Sequence, residues 1–180
     1  TLLHLWAHSD KYRLGGSALY QSFKLYGGAT PDIDDANQFK VLFEATQELL
    51  DKDFIESLHD ISDGGLITSL IEMALCSNQG LDINLDYSDK EQVVPKLFSE
   101  EIGLVIEVKN EKLESVRNYL NEKELFFENI AKKNDKKKIN INCFKEEVFS
   151  EDLITLFNQW SKVSHEIQKI RDSEDAALAE

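Results

Sequence analysis

The sequence feature that most constrains the fold is a short extended run, a glycine-containing turn and an amphipathic segment in direct succession. The extended run covers residues 54–58, the turn HDISDGG covers residues 59–65, and the amphipathic segment covers residues 66–75. This order predicts a strand end, a tight turn and a helix start. We expect Ser62 or Asp63 to cap the helix, because a side-chain oxygen there can accept hydrogen bonds from the first unpaired backbone N–H groups.

The same turn has the residue types of an anion site. Gly64 and Gly65 lack Cβ atoms where a ligand would approach the backbone, and the positive end of the helix favours an anion such as phosphate. Asp60 adds a carboxylate that suits a Mg²⁺ bridging to phosphate oxygens. A well-capped helix without a ligand uses the same residue types, so both interpretations stay open at this point. We interpret His59 as a hydrogen-bonded, half-buried histidine rather than a catalytic base.

The rest of the chain mixes strand and helix patterns without strict βαβ alternation. This mixture favours an α+β fold in which helices cover a mixed β-sheet. Pro95 is a reason to expect a break or kink in the helix that contains it. The predicted strands are residues 2–7, 81–85, 104–108, 126–131, 138–142 and 145–149. Helices are predicted at residues 18–25, at residues 110–121, and at residues 151–171 with Ser150 as the cap. A long helix is predicted to begin at a cap formed by Asp34 or Asp35 and to reach about Asp51. A further helix is predicted to be capped by Ser88 or Asp89 and to reach Phe98.

Two predicted helices carry apolar residues at helical spacing. We expect the stripe of the long first helix to lie in the core, and that of the final helix to fall on one face. The first stripe is Phe39, Leu42, Phe43, Ala45, Thr46, Leu49 and Leu50. The second is Leu153, Leu156, Phe157, Trp160, Val163 and Ile167.

Composition excludes several classes of function. The chain has 180 residues, which suits one domain, and a formal net charge of −14, which repels nucleic acid and anionic membrane surfaces. The run at residues 136–138 is interpreted as a solvated lysine cluster. Cys76 and Cys143 lack metal-ligand spacing, so we expect free thiols in a reducing compartment. The sequence has no apolar run of about 20 residues and no visible signal peptide. We therefore expect a soluble, cytoplasmic protein.

Four stretches together carry a resemblance to a known family. HDISDGGLITSLIEMALCSNQGLDINLD, at residues 59–86, resembles the C-terminal domain of the aminoimidazole ribonucleotide synthetase superfamily. Within that superfamily it is similar to the large, single-chain phosphoribosylformylglycinamidine synthases. RLGGSAL at residues 13–19, LFSEEIG at residues 97–103 and the segment 160–172 resemble further motifs of the same family, in the same order.

The resemblance implies a three-layer α/β/α domain of an ATP- and glutamine-dependent ligase of purine biosynthesis. That enzyme converts formylglycinamide ribonucleotide to formylglycinamidine ribonucleotide, with Mg²⁺ and ATP as cofactors. By matching position, Asp60 is expected to bind magnesium, Ser62 to contact ATP, and Asp63, Gly64 and Gly65 to complete the phosphate turn. No catalytic residue is assigned. The nucleophile that releases ammonia from glutamine belongs to another domain.

The resemblance also implies that the chain is a piece of a longer polypeptide, as does its start at Thr1. We expect residues 1–172 to form the domain and residues 173–180 to be an acidic tail or linker. Its partners would be the preceding synthetase-type domains, which supply most ATP contacts, and a following glutaminase domain. The isolated chain is then expected to have no synthase activity and to bind Mg-ATP weakly or not at all.

Two other functions remain in view. The domain could be a structural module that holds a nucleotide and docks its neighbours. It could also belong to a related member such as a selenophosphate synthetase or a hydrogenase maturation protein, although residues 13–19 and 160–172 argue against this.

Two further motifs have two interpretations each. Gly15 and Gly16 could admit a substrate or simply form a turn. Glu100 and Glu101 could face a metal, but we favour a surface or hydrogen-bonding role, since acidic residues before a strand are ordinary.

Overall fold

The computed structural model describes residues 1–7, 11–85 and 90–173, which form a seven-stranded mixed β-sheet and six α-helices. The strand order is β2-β4-β1-β5-β3-β6-β7, and each pair of neighbours is antiparallel except β3 and β6. The strands are β1 (Leu2–Trp6), β2 (Ser57–Asp60), β3 (Gly80–Leu85), β4 (Gly103–Glu107), β5 (Phe126–Asn134), β6 (Lys138–Cys143) and β7 (Glu146–Asp152). The helices are α1 (Ala18–Ser22), α2 (Ala36–Asp51), α3 (Gly65–Ser77), α4 (Val93–Phe98), α5 (Leu113–Glu122) and α6 (Leu153–Arg171).

Helices cover both faces of the sheet, which confirms the predicted three-layer α+β architecture. Alternate residues of one strand point to opposite faces, so Leu2 contributes to one core and Leu3 and Leu5 to the other. The first core joins the sheet to α3, α4 and the start of α6. The second joins it to α2 and α5. The candidate site therefore lies on a sheet held from both sides.

The long helix α2 confirms the predicted cap and extent but corrects the predicted core stripe. The Asp35 side chain accepts hydrogen bonds from the backbone N–H groups of Asn37 and Gln38, and the helix ends at Asp51. Leu42, Ala45, Thr46 and Leu49 are buried, whereas Phe39, Phe43 and Leu50 are exposed. At 3.6 residues per turn, those three exposed side chains fall on one flank of the buried arc. The apolar surface of α2 is therefore wider than the part that the sheet covers.

The final helix also differs from expectation, at its start and along its length. Ser150 is not its cap: it lies in β7, and its hydroxyl donates to Asn140 Oδ1 at 2.8 Å. The β6–β7 ladder continues through Asp152, so strand pairing delays the helix to Leu153. Leu153 is buried and Leu156 packs against the same core, but the stripe beyond them emerges from it. Phe157, Trp160, Val163 and Ile167 are 44–69% exposed.

Several smaller boundaries follow local chemistry. The strand before the turn is Ser57–Asp60, which starts three residues and ends two residues later than predicted, because it pairs with β4 up to Asp60. Pro95 is the third residue of α4, where its missing N–H has no intrahelical partner to lose, and the helix continues to Phe98. The predicted caps Ser88 and Asp89 lie outside the described residues, as does most of the predicted acidic tail.

The structure also bears on the predictions about the cysteines and about membrane-spanning segments. Cys76 and Cys143 are both free thiols, as expected. Within the described residues, no helix combines the length and the apolar character needed to cross a membrane.

Candidate functional site

The turn after β2 lies at one edge of the sheet and opens to solvent. β2 is an edge strand that pairs with β4, and Asp60, its last residue, faces Leu104 across the ladder. The Asp60 side chain is 72% exposed. Ser62 and Asp63 are exposed as well. The three side chains of the predicted site are therefore accessible to solvent.

The predicted capping of α3 by Ser62 or Asp63 is wrong. α3 begins at Gly65, and the capping position is Gly64 in a left-handed conformation, φ +87°, without a side-chain cap. The Gly65 N–H donates to the backbone oxygen of Ser62 at 2.9 Å. The Gly64 N–H donates to Glu100 Oε1 at 2.8 Å. A tight turn and a distant carboxylate thus replace the local cap and occupy these two amides.

Gly65 is required by packing within the domain, not by a ligand's approach. Its φ is +73°, and a Cβ atom there would lie 2.6 Å from the backbone oxygen of Ser99 and 2.7 Å from the carbonyl carbon of Phe98. A Cβ at Gly64 would overlap the hydroxyl of Thr68. The missing Cβ of Gly65 therefore lets α3 start directly against the end of α4, whereas the missing Cβ of Gly64 leaves room for Thr68 of α3 itself. For Gly65 this corrects the expectation that the position leaves space for a ligand.

Glu100 also connects the loop of residues 13–17 to the turn after β2. The Glu100 Oε1 atom that binds Gly64 accepts a second hydrogen bond, at 2.8 Å, from the backbone N–H of Ala18, which follows the loop. Ser17 caps α1, because its hydroxyl accepts from the Tyr20 N–H at 3.3 Å. Gly15 packs against the carbonyl oxygen of Ala29, to which its own N–H donates at 2.8 Å. These contacts favour the simple turn over a substrate-admitting loop, and they bring two predicted motifs together.

Glu101 holds the same loop through Arg13. The Arg13 Nε and Nη2 atoms bind the two Glu101 carboxylate oxygens at 2.6 and 2.7 Å, and Nη2 also lies 2.8 Å from Asp34 Oδ2. The hydrogen bond to Glu101 raises the pKa of the Arg13 guanidinium above its usual value. Glu100 and Glu101 therefore have the hydrogen-bonding roles that the sequence favoured. The sequence motifs at residues 13–19 and 97–103 include these residues, but the contacts between the two motifs are visible only in the fold.

His59 is half-buried and hydrogen-bonded, as predicted. Its Nδ1 lies 2.7 Å from the backbone oxygen of Asp60, and its Nε2 lies 2.9 Å from Glu72 Oε2. Glu72 also accepts a hydrogen bond from Trp160 Nε1 at 2.8 Å. The ring therefore links the end of β2 to α3, and α6 joins the same group of contacts. Both ring nitrogens of His59 therefore have partners within the domain, which favours a structural role for this residue over a role as a catalytic base.

A pocket of about 210 Å³ lies beside the turn. Asp60 and Glu100 border it, and its apolar wall includes Phe39, Phe43 and Leu104. The described residues contain no group of three or more His, Cys, Asp or Glu side chains that could hold a metal ion. A cation at Asp60 would therefore need further ligands from water, from a bound phosphate or from residues outside the described ranges. Carboxylate oxygen is a donor that fits Mg²⁺ under those conditions, because Mg²⁺ retains several waters and phosphate oxygens.

A buried ionic cluster, missed by the sequence reasoning, lies on the same side of the sheet as α3 and α4. The Lys96 side chain is 1% exposed, and its Nζ lies 2.5 Å from Glu128 Oε1, which is 3.1 Å from His4 Nδ1. Burial lowers the pKa of His4, and burial also lowers the pKa of Lys96. Burial works to raise the pKa of Glu128, but His4 and Lys96 hold it below its usual value. No local sequence signal marks this cluster, because its members come from β1, α4 and β5.

The family model of the AIR synthase related protein, C-terminal domain, matches residues 7–143. The chain is 35% identical over 170 residues to the probable phosphoribosylformylglycinamidine synthase, chloroplastic/mitochondrial, of Arabidopsis thaliana, covering 94% of this chain and 12% of that protein. It is 33% identical over 187 residues to the phosphoribosylformylglycinamidine synthase of Saccharomyces cerevisiae, covering 99% of this chain and 14% of that protein. The chain thus spans about an eighth of the length of these curated relatives.

Solved structures of Thermotoga maritima PurL have the same fold. The complex with FGAR superposes with a TM-score of 0.69 at 18% identity, covering 86% of this chain and 27% of that one. The complex with ATP superposes with a TM-score of 0.64 at 16% identity, covering 86% and 25%. The family model covers well over half of the described domain, from the end of β1 to the end of β6. This chain therefore belongs to the family of AIR synthase related protein C-terminal domains.

Proposed function

We propose that this chain is a domain of a phosphoribosylformylglycinamidine synthase, an ATP-dependent glutamine amidotransferase of the ligase class that acts in purine biosynthesis. The observation that carries the proposal is the 35% identity, over 94% of the chain, to a relative with that name. Because the chain spans only 12% of that relative, the activity would belong to a longer polypeptide. Its partners there are preceding synthetase-type domains and a following glutaminase domain. We propose a cytoplasmic location, although the name of one relative refers to chloroplasts and mitochondria.

The site within this chain is the exposed turn after β2, where it supplies part of a Mg-ATP site. Asp60 would hold Mg²⁺, whose chemistry when bound is to neutralise charge on the phosphate groups. The exposed Ser62 hydroxyl can donate a hydrogen bond to a phosphate oxygen, and Asp63 completes the exposed part of the turn. The amides of Gly64 and Gly65 have partners within the domain, so these residues shape the turn. The ATP complex of the related PurL fold supports nucleotide as the ligand.

Charge explains why the site is incomplete in this chain. The turn presents Asp60 and Asp63, and the nearby Glu100 carboxylate adds a third negative charge. A triphosphate approaching these groups is repelled unless a cation and basic groups from elsewhere neutralise it. The isolated chain is therefore expected to lack synthase activity and to bind Mg-ATP weakly or not at all. Calorimetry that gives micromolar, Mg²⁺-dependent ATP binding to residues 1–180 alone would contradict this expectation.

A second candidate function is a structural module that holds a nucleotide and docks neighbouring domains. The exposed apolar residues of α6 and the exposed Phe39 and Phe43 of α2 favour it, because large apolar side chains at a surface mark interaction sites. In that case the turn holds a nucleotide that is not consumed.

Asp60→Asn in the full-length protein separates the two functions. The substitution keeps the size of the side chain and removes the charge that would hold Mg²⁺. Glutamine-dependent turnover and the thermal unfolding temperature are measured together, with Asp135→Asn, at the remote β5–β6 turn, as the control. Turnover that falls at least about 100-fold with unchanged unfolding supports catalysis. A lower unfolding temperature with normal turnover per folded molecule supports the structural module instead.

A further inference from the structure

We infer that Glu100 is a positioning residue of the nucleotide site, and that it works through the geometry of one carboxylate oxygen. The inference rests on the proposed function, which assigns the turn after β2 to Mg-ATP. Glu100 itself lies outside that turn, between the end of α4 and the start of β4. It touches backbone atoms of the site and is assigned no contact with the ligand.

One atom of Glu100 joins two segments that are far apart in the sequence. Its Oε1 accepts hydrogen bonds from the Gly64 N–H and the Ala18 N–H, both at 2.8 Å, across 36 and 82 positions of the chain. Because a hydrogen bond spans about 2.9 Å, one oxygen that accepts from both amides fixes the distance between them. The separation of the turn from the start of α1 is therefore set by a single atom.

The segment that carries Glu100 also fixes the next residue of the turn. Gly65 packs against the backbone of Phe98 and Ser99, at a distance that excludes a Cβ atom. Glu101 binds Arg13 through two side-chain bonds and accepts from its backbone N–H at 3.0 Å. The C-terminal end of the turn is thus held by a side chain and by backbone, both from residues 98–101.

The ligand-facing side chains of the turn, Asp60 and Ser62, have much weaker support of their own. Asp60 Oδ1 lies 3.5 Å from His59 Nδ1, and the Asp60 side chain is largely exposed. Among the described residues, the Ser62 hydroxyl makes no hydrogen bond. Their orientation must come from the backbone between β2 and Gly64, because a side chain without partners samples several rotamers. Loss of the Glu100 bond would release one end of that backbone and leave Asp60 and Ser62 in many orientations.

The test compares Glu100→Gln, Glu100→Asp and Glu100→Ala in the full-length protein. Gln keeps an oxygen at the same reach but no charge, whereas Asp keeps the charge on a shorter side chain that cannot reach both amides. The apparent KM for Mg-ATP and kcat are measured for each variant, together with thermal unfolding. Positioning by geometry predicts a KM within about 3-fold of wild type for Gln, and a KM raised at least about 10-fold for Asp and Ala. Glu122→Ala, an exposed acid on α5, is the control with unchanged KM.

Other outcomes overturn the inference. A Gln variant as impaired as Ala, with a normal Asp variant, would mean that the charge of Glu100 acts directly, as a metal ligand would. A lower unfolding temperature with an unchanged KM in all three variants would mean that Glu100 only stabilises the fold. If the Ala variant does not fold, the Gln and Asp variants still decide between geometry and charge.

Hydrogen exchange separates failure of this inference from failure of the proposed function. The amides of Ala18 and Gly64 are expected to exchange at least about 10-fold faster in Glu100→Asp than in wild type, whether or not the protein uses ATP. Unchanged exchange at both amides would overturn the bridging role itself. Wild-type protein without Mg-ATP-dependent turnover, but with the expected exchange, would overturn the proposed function and the KM effect while leaving the bridge in place.

Discussion

At the scale of single residues, Gly65 shows how packing and a functional motif can require the same amino acid. Sequence reasoning assigned the two glycines of HDISDGG to a ligand, because a missing Cβ admits a phosphate to the backbone. In the structure the space beside Gly65 is filled by the end of α4, with the backbone oxygen of Ser99 and the carbonyl carbon of Phe98 nearest to it. Backbone atoms cannot swing away as a side chain can, so this contact leaves no room for adjustment.

Gly65→Ala and Gly27→Ala form a matched pair, because both glycines have positive φ, +73° and +90°. Gly27 has nothing within 4 Å of the position of a Cβ atom, whereas Gly65 has backbone atoms at 2.6 Å. Gly27→Ala should lower the free energy of unfolding by about 1–2 kcal/mol, from the left-handed conformation alone. Gly65→Ala should lower it by about 2 kcal/mol more, from overpacking. Urea unfolding of the chain measures both, and equal losses would contradict the packing role of Gly65.

At the scale of elements, α6 combines a buried start with an exposed remainder. Leu153 contributes to the core next to α3, and Leu156 packs against it. Beyond Phe157 the apolar stripe faces solvent, apart from the hydrogen bond that Trp160 Nε1 donates to Glu72. A continuous stripe in the sequence therefore includes two different environments. Periodicity identifies the face of a helix but not how far its partner extends.

Leu153→Ala and Ile167→Ala test this division of α6. Removing the buried Leu153 side chain should lower the free energy of unfolding by about 2–5 kcal/mol, from lost burial and a residual cavity. Ile167 is 59% exposed, so its replacement should change stability by less than about 0.5 kcal/mol. Chemical unfolding followed by circular dichroism gives both values. A loss at Ile167 comparable with that at Leu153 would show that the stripe is covered within this chain.

The sequence predicted the helices and strands better than it predicted the caps and long-range contacts that connect them. Each of the seven strands and six helices overlaps a predicted element, although β2 lies later than predicted, because periodicity and turn residues are local signals. α1 is shorter than predicted, and the Ser150 cap failed because pairing of β7 with β6 overrides a local capping preference. The contacts of Glu100 with Gly64 and Ala18 cross long stretches of chain, so no local pattern could reveal them.

At the scale of the whole molecule, the buried cluster of His4, Lys96 and Glu128 connects two neighbouring strands of the sheet to a helix. Lys96 comes from α4, His4 from β1 and Glu128 from β5. A buried ionic group depends on every partner, because removal of one leaves an uncompensated charge. The cluster therefore couples the acid–base state of the protein to its global stability.

We expect stability to fall as the pH drops below about 6.5, the usual pKa of histidine. Burial lowers the pKa of His4, so over this range the unfolded chain binds a proton that the folded chain does not. Unfolding then becomes easier by at most about 1.4 kcal/mol per pH unit for this proton. Below about 4.5, protonation of Glu128, whose folded pKa is also lowered, removes further stability.

The matched variants for this prediction are His4→Asn and His165→Asn. His4→Asn should flatten the dependence of stability on pH between 7 and 5, because the asymmetrically titrating group is gone. His165→Asn, on α6 and outside the cluster, should leave that dependence as in wild type. Urea midpoints measured across the pH range would contradict the assignment if both variants kept the wild-type slope.

The order of strands has a consequence for the way this domain is assembled. β5 is the shared neighbour of β1 and β3, and β3 lies between β5 and β6, although it precedes both by more than 40 residues of chain. During translation, β1 and β3 emerge long before the strands that satisfy their hydrogen bonds. The centre of the sheet can close only after residue 134 has left the ribosome. Until then the nascent polypeptide carries unsatisfied strand edges, and it must avoid self-association through them.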